Sequence, residues 1–421
     1  MMDCFWCINK SLYTHNYPDI TSWKSIMDTL PTERPILVLM GFNVIVSGAE
    51  KMIFRTIQAL TSSGMPVHVI LNNWKHDTMD TAIEEAGGTW QEGPYNFRLR
   101  RIYPKVSDYF KLFFYLLRLN FFLLQQLLKH RPRSILMSNI ADATAALPVL
   151  VLAKILGIQL ILRSDNVPFG KRFYQLYWKY VLAKIMDKVI GVSQFCLNRL
   201  HQVGVPTDKS VLIYNVLVDD RFKSTFKQPH KNTTLEILYV GQILKDKGVY
   251  TVIHAVMHLL KQGYPLHLTL AGRIPDWPQS HVDAYKMMRD TVTQAGFDQQ
   301  IQFIGASDNI AQLMAQSDLL LTAPTNEEAF GLVYLEAMAL GLPVVTFNRG
   351  AITEIVRHDE TGWICTEESL ESLIEGTRYV LDHPDRRQYY SEQARHIFTC
   401  SDHPFSETRF QIDTYQLFTK P

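Results

Sequence analysis

The sequence has 421 residues, 47% of them hydrophobic and 20% charged, with 42 Lys plus Arg balanced by 41 Asp plus Glu. That length holds two or three domains, the composition excludes a disordered polymer, and the +1 net charge gives no bulk case for nucleic-acid binding. Five cysteines, an odd number in so long a chain, make no disulfide framework, and the first seven residues lack the basic flank and apolar core of a signal peptide. A reducing, cytoplasmic location is expected.

After about 30 polar-aromatic, aperiodic residues, Ile36–Met40 reads as a short buried strand, followed by a glycine-bearing turn and a helix from about Gly48 to Leu60. Strands are then expected at Pro66–Leu71, Ser134–Met137, Gln159–Arg163, Lys188–Val192 and Val211–Tyr214. Short apolar runs alternating with 3.6-period segments indicate βαβ units and a parallel sheet. Between Arg221 and Thr234 the chain turns polar and loses periodicity, as a linker would. A second alternating series follows at Glu236–Val240, Leu266–Ala271, Ile301–Ile304, Asp318–Thr322 and Pro343–Phe347. The fold class expected is α/β, with two doubly wound, Rossmann-like domains facing across a cleft and a ligand near the strand C-termini.

The segment richest in chemistry runs from Asn326 to Pro343, passing Gly331 into an apolar helix. Glu328 precedes that helix and Glu336 lies inside it. Eight residues are a little over two turns, so both carboxylates can serve one ligand although they sit ~10 Å apart. The turn at Gly331 leaves backbone N–H groups free at the helix N-terminus, a site for a diphosphate. Hydroxyls on either side of the phosphates would meet one carboxylate each, the layout of a sugar nucleotide.

The segment resembles the Glu-x7-Glu motif of retaining glycosyltransferases of the GT-B fold, in particular glycosyltransferase family 4. Gly350–Val356, Glu360–Trp363, Gly241–Val249, Val192-Ser193 and Tyr214-Asn215 also look like that family, as does Ser47-Gly48-Ala49-Glu50 beside its Gly-Gly-Ala-Glu turn. The resemblance spans residues ~35–400 in order. It implies an N-terminal acceptor domain over 33–220, a C-terminal nucleotide-sugar donor domain over 234–402, and a final helix within 403–421 crossing back to the N-terminal domain.

It also implies roles. Glu328 would hold hydroxyls of the donor sugar and Glu336 those of the ribose. Phe330, Gly331 and Leu332 would offer backbone groups to the diphosphate, with Lys247 neutralising charge on the leaving group. Gly241, Ser47 and Asn139 would bind substrate, and the Gly48 turn would let backbone approach the donor from the opposite domain. The family usually places Arg where this chain has Gln242, leaving Lys247 and Lys245 as phosphate cations, and many relatives place His where the nearest residue is Asn139. Asp165, in the loop Arg163-Ser164-Asp165-Asn166, is a candidate to bind or deprotonate the acceptor hydroxyl; a buried charged pair between Arg163 and the neighbours of Asp165 is the plainer alternative.

The activity expected is retaining transfer of a hexose from a nucleoside-diphosphate sugar to a hydroxyl of a glycan or lipid-linked acceptor, in surface polysaccharide, lipopolysaccharide or glycolipid assembly. A non-catalytic sugar-nucleotide-binding GT-B protein is the alternative, and a sugar-nucleotide epimerase a third. No metal and no cofactor beyond the sugar nucleotide is expected: the 14 histidines form no ligand cluster, no acidic Asp-x-Asp triad stands at a strand end, and Cys4 and Cys7 lack a second Cys/His pair.

Residues 95–133 carry nine basic residues, from Arg98 to Arg133, against Asp108 alone, a net +8 that leaves −7 for the remainder. Phenylalanines are interleaved with them, and Arg118, Asn120, Gln125 and Gln126 break the apolar run too often for a bilayer span. A second basic-aromatic stretch occupies Lys171–Lys188. Both suit an anionic membrane surface, with the protein peripheral on its inner face; both also suit helices packed on a sheet.

Overall fold

The structure, a computed structural model, describes residues 34–43, 46–73, 78–95, 106–168, 172–224, 234–400 and 403–419. Cys4, Cys7, Arg98, Arg100, Arg101, Lys105 and most of the expected linker lie outside the described residues. The chain divides into two compact units. One holds the described chain up to Val218 together with Glu407 onward, and the other runs from Asp219 to Ser406.

The N-terminal unit is built on seven parallel strands: β1 (Ile36–Met40), β2 (Val67–Leu71), β3 (Thr89–Glu92), β4 (Ser134–Met137), β5 (Gln159–Ser164), β6 (Lys188–Gly191) and β7 (Ser210–Leu212). Their order is β3-β2-β1-β4-β5-β6-β7. All residues of β1, β2 and β4 are buried, as central strands covered on both faces require. The helices Val106–His130 and Leu147–Ile155 pack Leu119, Leu123, Leu127, Val149, Leu150 and Ala153 into this core. The basic-aromatic stretch after Lys171 forms the helix Arg172–Tyr177, one π turn at Trp178–Leu182 and a last turn at Ala183–Ile185, with Trp178 and Leu182 inward. The final helix, Glu407–Thr419, packs in this unit: Arg133 Nη2 donates to the Phe418 carbonyl at 2.6 Å, and Arg55 pairs with Glu407 at 3.3 Å.

The C-terminal unit holds six parallel strands: β8 (Leu235–Val240), β9 (Leu266–Ala271), β10 (Ile301–Gly305), β11 (Leu319–Leu321), β12 (Val344–Phe347) and β13 (Gly362–Cys365). The order is β10-β9-β8-β11-β12-β13. Both sheets therefore reverse direction of winding once, between β1 and β4 and between β8 and β11. In open α/β sheets the crevice at such a reversal, beyond the strand C-termini, is where ligands bind.

Candidate active site

In the C-terminal unit the chain leaves β8 at Gly241, whose N–H bonds the Ala271 carbonyl at 3.0 Å. It then makes a 3-10 turn at Lys245–Lys247 and reaches Gly248 in the left-handed region, φ +75°. A Cβ there would sit 1.6 Å from the Ala323 carbonyl oxygen, so only glycine lets this loop press against the exit of β11. The two loops are joined by hydrogen bonds: Thr325 donates to the Asp246 carbonyl through N–H (3.2 Å) and Oγ1 (2.9 Å), and Asn326 Nδ2 donates to Asp246 Oδ2 at 3.2 Å.

That arrangement brings Lys247 Nζ to 2.6 Å from Glu328 Oε1, a half-buried ion pair. The Glu328 backbone is itself fixed. It bridges Gly350, its carbonyl accepts from Ala351 N–H at 2.9 Å, and a Cβ on Gly350 would meet the same oxygen at 2.2 Å. Phe330 turns inward and meets Phe405 edge-on at 5.6 Å. Gly331, at φ +88°, starts the helix Leu332–Leu340, and Tyr334 N–H closes its first turn on the Gly331 carbonyl at 3.1 Å. The helix is anchored beneath by Tyr334, whose hydroxyl lies 3.1 Å from Thr322 Oγ1; burial holds that phenol well above its ordinary pKa. Glu336 lies half-buried farther along the helix.

In the N-terminal unit Ser47 precedes, and Gly48 opens, the helix Gly48–Ser62. The Glu50 carboxylate caps that helix, accepting from Ser47 N–H at 2.9 Å and from Asn43 Nδ2 at 2.7 Å. Asn139 caps the helix Ile140–Ala145 through Oδ1 and donates with Nδ2 to Asn43 Oδ1 (3.2 Å) and Asp142 Oδ2 (2.9 Å). Asp142 is fully buried; it accepts from Gly41 N–H at 2.9 Å and contacts Ser138 Oγ at 2.9 Å. Burial pushes its pKa up to about 7, although those hydrogen bonds pull the other way. Ser138 has one proton for two neighbours, Asn43 Oδ1 at 2.8 Å and Asp142 Oδ2. A protonated Asp142 donating to Ser138 lets Ser138 donate to Asn43, which satisfies both contacts.

Asp165 follows β5 and is held by Arg163, whose Nε donates to both carboxylate oxygens at 3.0 Å; Arg163 Nη2 bonds Asn215 Oδ1 at 2.5 Å. Both charged side chains are buried, 1% and 7% exposed. Desolvation raises the Asp165 pKa, opposed by Arg163 and reinforced by the charge of Glu50.

Residues 220–397 match the family description "Glycosyl transferases group 1", and residues 46–221 match "Glycosyltransferase Family 4". The chain belongs to this glycosyltransferase family. A solved glycosyltransferase from Rickettsia africae superposes with a TM-score of 0.76 at 18% identity, covering 92% of this chain and 98% of that one. The Anabaena protein HepE, solved with UDP and glucose, gives 0.73 at 19% identity, covering 92% and 100%. These neighbours fix the fold as GT-B. Among curated relatives, the N-acetyl-alpha-D-glucosaminyl L-malate synthase of Bacillus anthracis is 27% identical over 216 residues, 50% of this chain and 54% of that protein. The chain spans about half the length of the curated relatives it matches.

The structure gathers Gly241, Lys247, Glu328, Phe330, Gly331 and Leu332 around the β8–β11 reversal, with Glu336 farther along the helix Leu332–Leu340. Ser47, Gly48 and Asn139 lie around the β1–β4 reversal, and Asp165 stands one strand over at the exit of β5. The polar atoms of Asn139 are engaged in capping and in the Asp142 network, and the Asp165 carboxylate is engaged by Arg163. Sequence reasoning missed Asp142, Asn43, Glu50 and Asp246 as organising residues. Glu50 and Asp246 stood there within the quoted motifs without a role of their own, and Asp142 left a trace as an acid three residues after the Asn139 cap. Among the described residues no group of three or more His, Cys, Asp or Glu is placed to hold a metal ion.

Proposed function

We propose that the protein transfers a hexose, with retention, from a nucleoside-diphosphate sugar to a hydroxyl of a glycan or lipid-linked acceptor. The observation that carries this reading is the Lys247–Glu328 pair at 2.6 Å, fixed at the β8–β11 reversal beside the N-terminus of the helix Leu332–Leu340. One ammonium and a set of backbone N–H groups make a diphosphate-binding corner that needs no ion. As the glycosidic bond breaks, positive charge grows on the sugar ring and negative charge on the departing phosphate. Lys247 and the helix N-terminus take up the second, while Glu328, freed from Lys247 by the incoming phosphate, accepts hydrogen bonds from sugar hydroxyls. Glu336, farther along the same helix, takes the ribose hydroxyls, and the backbone of Phe330, Gly331 and Leu332 lines the diphosphate. The fold neighbour solved with UDP and glucose supports this class of donor.

In the N-terminal unit, the Glu50 and Asp142 networks hold Ser47, the Gly48 turn and Asn139 in place for substrate. Asp165 acts there by holding Arg163 and the β5 exit, its two oxygens sharing the single Arg163 Nε–H. The protein works in the cytoplasm, peripheral on the inner face of the membrane, without metal or further cofactor. The experiment is sugar-nucleotide hydrolysis and transfer by purified protein, wild type beside Glu328→Ala and Lys247→Ala. Equal turnover in all three sinks the assignment; nucleotide-sugar binding with no turnover in the wild type selects a non-catalytic binding protein.

A further inference from the structure

The helix Val106–His130 has two apolar faces, and the core accounts for one. Leu119, Leu123 and Leu127 are buried against the sheet. On the opposite side Phe110, Phe114, Leu117, Phe121 and Leu128 stand 63%, 65%, 52%, 64% and 61% exposed. At 100° per residue these five fall within about 60° of one another, a single ridge where a surface helix of a soluble protein carries polar residues. The exposure is concentrated here. Of the seventeen large apolar side chains exposed among the described residues, seven lie on this one helix, from Tyr109 to Leu128, so scattered surface hydrophobicity does not explain the ridge.

Lys111, Arg118 and Lys129 project in one row, turned about 80–100° from the ridge. Asp108 is the helix's one acid, and Lys111 meets it at 3.4 Å across solvent. No described helix is long and apolar enough to cross a membrane. We infer that this ridge docks on an anionic lipid surface, the helix lying in the plane of the interface. Phe110, Phe114, Leu117 and Phe121 then enter the acyl boundary, and the cationic row meets headgroup phosphates.

Charge complementarity selects lipid over a second copy of the chain. Two copies meeting ridge to ridge bring two cationic rows together with only Asp108 to answer them, whereas a bilayer supplies the anions. The inference rests on the proposed membrane-side acceptor and names the surface that reaches it.

The test is sedimentation with vesicles of phosphatidylcholine and phosphatidylglycerol, and with phosphatidylcholine alone. Wild type is compared with Phe114→Ser/Phe121→Ser and with Lys111→Glu/Arg118→Glu/Lys129→Glu. Wild type should pellet with the anionic vesicles at low salt and be released by high salt. Each variant should partition at least about tenfold more weakly. All the substituted side chains are exposed or flank the ridge, so circular dichroism and the thermal shift produced by nucleoside diphosphates should match wild type. That control separates loss of docking from failure of the donor site. Wild type that stays in the supernatant at low salt overturns the inference, as does a Phe114→Ser/Phe121→Ser variant that pellets like wild type. A wild-type dimer that this variant converts to monomer, without vesicle binding by either, assigns the ridge to self-association instead.

Discussion

Lys247→Met separates chemistry from stability at one atom. The Lys247 Nζ–Glu328 Oε1 contact of 2.6 Å joins side chains 36% and 22% exposed, so solvent screens it. Its contribution to folding is below about 1 kcal/mol, as for other exposed pairs. In the proposed transfer the same ammonium would face charge that did not exist in the ground state. Loss of one preorganised group of that kind lowers turnover by about 10²–10³, or about 3–4 kcal/mol. The substitution also leaves the Glu328 carboxylate beside an incoming diphosphate, so donor affinity falls too. Lys247→Met combined with Glu328→Gln should therefore recover donor affinity without recovering turnover, a non-additivity expected only of groups in contact. The assay is steady-state release of nucleoside diphosphate from a panel of sugar nucleotides, with urea unfolding of each variant alongside. Turnover of Lys247→Met within about threefold of wild type, or a loss fully matched by lost stability, refutes the assignment.

Gly248→Ala should lower the melting temperature by several degrees and weaken nucleotide binding, because φ +75° and a Cβ 1.6 Å from the Ala323 carbonyl force the Lys245–Lys247 turn outward; thermal-shift assays with and without nucleoside diphosphate read both effects. Asp165→Asn leaves Arg163 buried and half-paired, at a cost of about 3–5 kcal/mol, and whatever fraction remains folded should keep a near-normal pH profile of transfer, whereas loss of the acid-side limb, where activity rises as a carboxylate ionises, would make Asp165 the acceptor's base. Asp142, with its pKa raised from 3.8 to about 7, binds its proton more tightly folded than unfolded. Its contribution is therefore full below about pH 4 and fades as pH rises through about 7. Asp142→Asn should flatten that part of the stability-against-pH curve, and an unchanged slope by urea unfolding would show that Asp142 is ionised throughout.

Much of the architecture could be read from the chain because parallel strands buried on both faces leave unbroken apolar runs. Ile36–Met40, Ser134–Met137 and Leu266–Ala271 occupy the expected positions as β1, β4 and β9. The two strands that were not foreseen, Thr89–Glu92 and Gly362–Cys365, lie at sheet edges. Thr89–Glu92 has no buried residue and carries polar side chains at three of its four positions, while Gly362–Cys365 is only four residues long and opens on a glycine. The Glu-x7-Glu segment was legible because a strand, a glycine and a helix follow one another locally. Its pairing with Lys247 spans 81 residues of sequence and depends on how Gly248 packs against Ala323, which no spacing reveals. The Asp142 network is the same case. Gly41, Asn43 and Asp142 meet because β1 and β4 are neighbours in the sheet although about a hundred residues separate them, and burial then sets the protonation state. Composition likewise showed that the Val106–His130 region is basic and aromatic. Only the packed unit decided which phenylalanines the core takes and which it leaves on the surface, since a sheet can cover just one side of a helix.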